Sequence, residues 1–282
     1  MHMKTMLILT DFSENAFRAT EYAAQLVDPL QISRIVLYHA YQSTIIGTDL
    51  PVANTANDQQ IYLESMENLG LQQDRLSALT KNVRIDLMAE DVSLPVHIST
   101  LCKSEEIDIV VMGVSGRSGL EKLLLGSTTS MMIQESTVPV LIVPNSTLIG
   151  KPINSVVFTT DLKDHASIPA HQLYEFLDAF PGAALQVINV DKAAGESYTV
   201  ETKESIATLH NIFDKYNATF DYINKDNTVE GILSYANSHH ASIIIVVPKK
   251  LGVVASFFHN SISKKLAYDS NIPLLSLPAV KA

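Results

Sequence analysis

Short runs of apolar residues recur along the chain, and each is followed by a stretch in which apolar residues have helical spacing. Runs without polar alternation are typical of parallel strands buried on both faces, and helices usually connect such strands. The sequence therefore predicts an α/β protein. The predicted strands are 6–11, 34–41, 83–89, 107–113 and 139–143 in the first half, and 155–161, 184–190, 219–224, 242–247 and 273–277 in the second.

Two helices of the first half are predicted to bury one face. Ser13 can cap the first of them, and its apolar face carries Ala16, Thr20, Ala23, Ala24 and Val27. The apolar face of the second carries Tyr62, Met66, Leu69, Leu76 and Leu79. Residues 42–58 and 191–204 fit neither period and are predicted to be long loops, which often cover binding sites.

The two halves of the chain resemble each other in sequence. Residues 6–12 form an apolar run followed by Thr and Asp, and residues 156–162 repeat this pattern. Residues 107–144 also align without a gap on residues 241–278. The simplest explanation is the duplication of one structural unit.

The connection between the halves is predicted at residues 145–152. This stretch contains Gly150 and Pro152, which interrupt regular structure. The predicted domains are therefore 1–145 and 152–282.

Composition limits the partners of the chain. Its 282 residues include 20 Lys and Arg against 30 Asp and Glu, a net charge of −10, so duplex DNA and anionic membranes would be repelled on average. A single cysteine, Cys102, excludes a disulfide framework and cysteine-rich zinc sites, and it fits a reducing compartment. We expect neither a signal peptide, because charged residues at 11 and 14 follow the first apolar run closely, nor a spanning helix, because no stretch reaches about 18 apolar residues. We expect a cytoplasmic protein without nucleic-acid or membrane partners.

The most informative segment is 112–129, where glycines are regularly placed. Gly113 and Gly116 follow a predicted strand, and the absence of their side chains lets a ligand approach the backbone. Gly126 precedes Ser127, Thr128 and Thr129, which begin a predicted helix. Free N–H groups, the positive end of the helix dipole and hydroxyls there favour phosphate.

Three familiar motifs do not fit this segment. The glycine spacing is neither that of the dinucleotide fingerprint nor that of the P-loop. Ser115 also lacks the second glycine that a nucleophile elbow requires. The segment is therefore not identified as a site for any of those chemistries.

The spacing G-x2-G-x9-G-[ST], from Gly113 to Ser127, resembles that of nucleotide-binding members of the universal stress protein family. The resemblance covers the whole chain as two tandem domains and is specific only in the first. It implies two doubly wound α/β units, each a five-stranded parallel sheet of order 3-2-1-4-5 with helices on both faces. It also implies ATP or AMP bound where the first and fourth strands diverge, a usual ligand position in such sheets.

The resemblance also assigns roles to individual residues. Asp11 would lie at the adenosine, and Ala40 would offer backbone hydrogen bonds to the adenine edge. Met112 and Gly113 would flank the ribose and the α-phosphate. The phosphates would pass Gly116 and be held by Gly126, Ser127, Thr128 and Thr129, with room for Mg²⁺ between them. The alternative explanation of these residues is an ordinary strand-to-helix turn with a cap.

The second half departs from this spacing. Gly113 aligns with Val247, Gly116 with Lys250 and Gly126 with Asn260. Because side chains would obstruct the approach to the backbone, we predict one nucleotide per chain, bound in residues 1–145.

Other chemistry is weakly indicated. The nine histidines include no metal-binding spacing, although His165 and His171 lie six residues apart. Cys102 falls in a helical apolar pattern with Ile98 and Leu101, so we expect a buried core thiol rather than a nucleophile. No catalytic residue and no metal ligand is assigned.

Three functions remain open from the sequence. The first is a stress-response protein that binds ATP or AMP and acts as a switch or interaction module through a protein partner. The second is a slow ATPase or an autophosphorylating enzyme. The third is a structural or interaction protein without any ligand.

Assembly is predicted from the last strand of each unit. Residues 140–143 and 274–277 are apolar, and such an edge left bare would promote aggregation. In single-domain members of the family this strand pairs across a homodimer. The resemblance therefore implies an internal pseudo-dimer of the two domains, with further dimerisation of the chain left open.

Overall fold

The computed structural model describes residues 3–42, 55–114, 127–162, 167–192, 199–248 and 262–278. The elements of the first half are β1 (Thr5–Leu9), α1 (Glu14–Ala24), β2 (Arg34–Tyr41), α2 (Thr55–Leu79), β3 (Arg84–Asp91), α3 (Leu94–Ser104), β4 (Ile109–Val114), α4 (Ser127–Glu135) and β5 (Val140–Pro144). Those of the second half are β6 (Ser155–Thr160), α5 (Ala170–Asp178), β7 (Ala184–Asp191), α6 (Val200–Phe213), β8 (Thr219–Asn224), α7 (Thr228–Ser238), β9 (Ile243–Val246), α8 (Ile262–Asp269) and β10 (Leu274–Ser276).

The ten strands of the described residues belong to one sheet, in the order β3-β2-β1-β4-β5-β10-β9-β6-β7-β8. Strands within each half are parallel, and both halves have the predicted order 3-2-1-4-5. The two halves meet at an antiparallel pair, in which Leu275 of β10 lies opposite Leu141 of β5. Each half therefore covers the apolar edge of the other, as the edge argument predicts.

Helices cover both faces of the sheet. We call the side that carries α1, α2, α5 and α6 the first face, and the side that carries α3, α4, α7 and α8 the second face. Strand side chains alternate between them: Met6 and Ile8 are buried on the first face, and Leu7 and Leu9 on the second. Both apolar layers run through both halves, so the two halves share their cores.

Local sequence explains where several helices begin. The Ser13 side chain caps α1 by accepting a hydrogen bond from Ala16 N at 3.3 Å, as predicted. Thr199 and Asn227 cap α6 and α7 in the same way.

Two sequence predictions about loops and helix faces were wrong in part. Helix α2 already begins at Thr55 and α6 at Val200, so both predicted loops extend too far. Residues 43–54 and 193–198 lie outside the described residues. In α2, Leu69 and Leu76 are fully buried, but Tyr62 and Leu79 are 43% and 56% exposed. Leu79 is the last residue of this 25-residue helix, and Tyr62 lies in its first third, so the buried face does not extend along the whole helix.

The connection between the halves lies against α1. Arg18 donates from its guanidinium to Thr147 O at 2.9 Å, and Gly150 N donates to Gln25 Oε1 at 2.8 Å. Regular structure in the first half ends with β5 at Pro144, and β6 begins at Ser155. The exact domain bounds, 1–145 and 152–282, stay a prediction.

No helix among the described residues is long and apolar enough to span a bilayer. Cys102 is buried on the second face beside Ile98 and Leu101, as predicted for a core thiol. Its burial raises the pKa of the thiol to about 12.

Candidate functional site

The candidate site lies where the connections of the first half turn to opposite faces. From β1 the chain crosses the first face through α1 to reach β2, whereas α4, the helix that follows β4, lies on the second face. In open α/β sheets such a divergence leaves a crevice at the carboxyl ends of the strands. Asp11, Ala40, Met112 and Gly113 lie at these ends, so the structure brings four of the predicted site residues together.

A tight turn presents Asp11 at the end of β1. Phe12 has a φ of 62°, and its N–H donates to Thr10 Oγ1 at 3.0 Å. Asp11 is exposed, and its Oδ1 accepts a hydrogen bond from Ser13 N at 3.0 Å. The carboxylate is therefore fixed at the mouth of the crevice, with its other oxygen directed away from this bond.

The second half has the same turn. Leu162 has a φ of 61°, and its N–H donates to Thr160 Oγ1 at 3.2 Å. A positive φ is unusual for a residue with a bulky side chain such as leucine. Its recurrence at the equivalent point supports the duplication of one unit.

The backbone of Ala40 faces the space beyond the end of β1. Thr10 N donates to Tyr38 O at 2.9 Å, so the polar groups of Tyr38 point towards β1. Groups two residues apart in a strand point the same way, which directs the N–H and C=O of Ala40 to the same side. His39 Nδ1 donates to Thr10 O at 2.8 Å. This carbonyl is the one that Ala40 N would otherwise bond in the β1–β2 ladder. Ala40 thus offers one donor and one acceptor to a ligand.

Packing inside the protein requires a glycine at position 113, and the sequence alone did not indicate this. A Cβ on this residue would lie 2.3 Å from Asn15 O and 2.6 Å from Asn15 C. The missing side chain therefore lets the first turn of α1 pack against β4. Because Asp11 and Ser13 lead into this turn, the glycine also sets the position of the candidate site.

The start of α4 supplies the next predicted residues. Ser127 begins the helix, Thr128 follows it, and Thr129 is buried. The side chain of Ser130, the next residue of the helix, is also buried, and its Oγ has no hydrogen-bond partner among the described residues. Gly116 and Gly126 lie in 115–126, outside the described residues.

Three polar side chains near Ala40 also went unnoticed in the sequence, and we call them the Glu90 cluster. Glu90 is the cross-strand neighbour of Ala40. Its Oε2 accepts a hydrogen bond from the Tyr38 hydroxyl at 2.7 Å, and His97 Nε2 lies 3.1 Å from the same oxygen. The three residues are far apart in the sequence. Only the register of β2 with β3 and the position of α3 bring them together.

The second half fills the equivalent space with apolar side chains. The strand registers place Val190 where Ala40 stands and Ile223 where Glu90 stands. Helices α3 and α7 end at equivalent serines, which places Gly231 at the position of His97. A Cβ on Gly231 would lie 2.5 Å from Val190 Cγ1. The larger residue on the strand is thus accommodated by a glycine on the helix.

Val247 stands at the position of Gly113 in the second half. Helix α1 starts three residues after Asp11, whereas α5 starts at Ala170, well beyond Asp161. Val247 packs instead on the apolar layer of the first face. The second half therefore differs from the first in the side chain at this position and in the point at which the next described helix begins.

Metal-binding side chains do not cluster in the described part of the chain: no group of three or more His, Cys, Asp or Glu residues could hold an ion. His171 lies beside Glu175, with Nδ1 3.3 Å from Oε2. His165 lies outside the described residues.

Comparisons with known proteins agree with this architecture. The universal stress protein family is matched over residues 2–144. Two universal stress proteins of Methanocaldococcus jannaschii are 26% identical over 151 residues and 27% identical over 157 residues. Each match covers 50% of this chain, and 81% and 94% of the respective relative.

Solved structures resemble the whole chain. A universal stress protein from Archaeoglobus fulgidus has a TM-score of 0.75 at 18% identity, with 99% of both chains covered. A functionally unknown protein from Pseudomonas aeruginosa has a TM-score of 0.60 at 13% identity, with 98% of this chain and 93% of that chain covered. At these identities the likeness shows the fold, here a tandem of two units.

Proposed function

Because the chain belongs to the universal stress protein family, we propose that it binds one adenine nucleotide, ATP or AMP, in its first half. The site lies at the carboxyl ends of β1, β2 and β4. One observation carries the proposal: the four described strand-end residues of the predicted site converge there, while the larger Val190 and Val247 stand at the positions of Ala40 and Gly113 in the second half.

Adenine is recognised through the backbone of Ala40. Its N–H donates to N1 of the base, and its C=O accepts one hydrogen of the 6-amino group. Both groups face the open end of β1, where His39 has taken the competing acceptor. Asp11 lies at the adenosine, and its exposed carboxylate can accept from a ribose hydroxyl. Met112 and Gly113 line the ribose and the α-phosphate.

The phosphates extend towards the start of α4. The phosphates are bound by Ser127, Thr128 and Thr129, and also by Gly116 and Gly126. The dipole of the helix favours their negative charge. Mg²⁺, when bound, would neutralise part of the phosphate charge and keep most of its own water ligands. The phosphate oxygens would hold the ion, and Asp11 keeps its place at the ribose.

Nucleotide occupancy acts as a switch through α1. The first turn of this helix contacts Gly113 at the site, while Arg18 and Gln25 bind the connection between the halves. A ligand that shifts the first turn would therefore also shift the connection. A protein partner that contacts the connection would sense the nucleotide, and the single-cysteine composition favours the cytoplasm as the place of action.

The proposal is tested on the full chain by isothermal titration with ATP and AMP. Micromolar affinity corresponds to about −8 kcal/mol, and loss of a hydrogen bond to a charged group typically costs about 1.5–3 kcal/mol. Asp11→Ala should therefore weaken binding about 10- to 100-fold. Asp161→Ala, the equivalent change in the second half, is the matched control and should leave affinity unchanged.

Two results would contradict the proposal. The first is the absence of heat and of any nucleotide-dependent melting shift in the wild-type chain. The second is equal weakening by both aspartate variants. Incubation with γ-labelled ATP separates binding from turnover: recovery of intact ATP supports a switch, and phosphate release that Gly126→Val abolishes supports a slow ATPase.

A further inference from the structure

The end of β1 leaves one hydrogen bond of the β1–β2 ladder unmade. Thr10 N donates to Tyr38 O at 2.9 Å, and the alternation of a parallel ladder would next pair Ala40 N with Thr10 O. Within the described part of the chain this second bond is absent, and His39 Nδ1 lies 2.8 Å from Thr10 O instead. Because a carbonyl oxygen can only accept, Nδ1 is the donor. A side chain of β2 thus replaces the next backbone donor of the same strand.

Aromatic contacts hold the His39 ring in this position. Tyr38 packs on the second face, so the alternation of side chains along a strand directs His39 to the first face, where Phe12 also packs. The ring centroid of His39 lies 4.4 Å from that of Phe12 and 6.2 Å from that of Tyr41. The half-buried imidazole is therefore fixed where Nδ1 reaches the Thr10 carbonyl.

The second half makes the same hydrogen bond with a different residue. The strand registers place Asn189 at the position of His39, and its Nδ2 donates to Thr160 O at 2.9 Å. Two residues earlier, the same two strands carry apolar Leu37 and Val187 on this face. A polar side chain facing the core costs free energy unless it is hydrogen-bonded. Imidazole and amide share an N–H donor but not aromaticity, so the donor is what both halves require.

The consequence of this bond falls on Ala40. Ala40 lies beyond the end of β1 but still pairs with Glu90 of β3, which keeps it extended. Its N–H faces the space beyond β1. If this N–H were bonded to the Thr10 carbonyl, a ligand would have to break that bond before using the donor, and affinity would fall. Because His39 occupies the carbonyl, the donor is available without that cost.

We propose that His39 is a positioning residue for adenine: its Nδ1–H occupies the Thr10 carbonyl and so keeps the Ala40 N–H free for N1 of the base. This inference rests on the proposed function, in which that N–H donates to N1. His39 itself does not contact the nucleotide. Without its donor, the Thr10 carbonyl pairs with Ala40, the β1–β2 ladder gains one bond, and the base loses its donor.

The test uses the full chain with three single substitutions. His39→Leu removes the donor, and His39→Asn restores it with the residue that the second half uses. Asn189→Leu removes the equivalent bond from the second half and is the matched control. In isothermal titration His39→Leu should bind ATP about 2- to 10-fold more weakly than the wild type, which is the net value of one neutral hydrogen bond. The other two variants should keep the wild-type affinity.

Amide hydrogen exchange at Ala40 distinguishes positioning from a general loss of stability. In the wild type without nucleotide this amide should exchange rapidly, and ATP should slow its exchange. In His39→Leu it should exchange slowly before ATP is added, because the ladder bond has formed. A merely destabilised chain would exchange faster instead. The wild-type measurement needs no variant, so it decides the question even if His39→Leu does not fold.

Several results would overturn this inference and leave the proposed function intact. They are a slowly exchanging Ala40 amide in the nucleotide-free wild type, unchanged ATP affinity in His39→Leu, and equal weakening by His39→Leu and Asn189→Leu. Failure of His39→Asn to keep the wild-type affinity would do the same, because the ring rather than its donor would then be required. A wild-type chain that binds no ATP would overturn both proposals.

Discussion

Gly113→Ala tests how β4, α1 and the candidate site depend on one another. The added Cβ would lie 2.3 Å from the carbonyl oxygen of Asn15 and 2.6 Å from its carbon. Both atoms belong to the backbone, so no side chain can rotate away. The first turn of α1 must move by roughly 1 Å to restore normal contact, and Ser13 and Asp11 must move with it.

The expected cost follows from this overlap. Overpacking of a tight contact typically costs about 1–3 kcal/mol, and each kcal/mol lowers the melting temperature of a chain of this size by about 2–4 °C. Gly113→Ala should therefore melt several degrees below the wild type in the absence of nucleotide. Gly70→Ala is the matched control: it lies within α2 with no atom within 4 Å of the added Cβ, and it should stabilise the chain by about 0.5–1 kcal/mol.

Thermal unfolding of nucleotide-free protein, followed by circular dichroism, measures both variants. If Gly113 served only to let a ligand approach, Gly113→Ala would melt with the wild type and lose only nucleotide binding. Equal melting temperatures would therefore refute the packing argument. A lower melting temperature together with weaker ATP binding is the expected result, because α1 carries the displacement to Asp11.

Three further predictions concern other parts of the structure. Gly231→Ala should destabilise the chain because its Cβ would meet Val190 Cγ1 at 2.5 Å. Adding Val190→Ala should recover much of the lost free energy of unfolding. A double variant whose loss equals the sum of the two single losses would contradict the contact. The Cys102 thiol, whose pKa burial raises to about 12, should resist a thiol-specific disulfide reagent at pH 8 until the chain unfolds, and rapid labelling of native protein would contradict its burial. Burial alone would raise the pKa of the Asp86 carboxyl. Hydrogen bonds from Arg34 and Arg84 outweigh this effect and hold the pKa below its usual range. The stability that Asp86 contributes should be complete above about pH 4, the unfolded value, and fall as the pH drops through the folded pKa. The free energies of unfolding of Asp86→Asn and the wild type, measured in urea, should therefore become equal in acid. A difference that stays constant with pH would contradict the ion pair.

The architecture could be predicted because the signal is local and repeated. Each buried parallel strand is a short apolar run, and the duplication gives every run a second example. The cost of a bare apolar edge predicted a neighbour for β5 and for β10, and the family resemblance implied that the two strands pair. Their antiparallel register, with Leu275 opposite Leu141, was not predicted. Helix faces were harder to predict, since periodicity alone does not show that the buried face of α2 ends before Leu79.

The candidate site could be predicted only in part. The glycine spacing marks a segment but does not show what each missing Cβ would touch, and the contact of Gly113 with Asn15 requires the packed helix. Glu90 and His97 come together with Tyr38 only through strand register, which no local pattern encodes. The compensation between Val190 and Gly231 is equally non-local.

The number of nucleotides bound by one chain is the measurement that tests the account most directly. We would purify the full chain gently, saturate it with ATP, and quantify the protein-bound adenine nucleotide by native mass spectrometry. One nucleotide per chain is predicted for the wild type and for Asp161→Ala, whereas Asp11→Ala should need about 10- to 100-fold more ATP to reach the same occupancy. Two nucleotides per chain would contradict the asymmetry between the halves, and none at saturation would contradict the site itself.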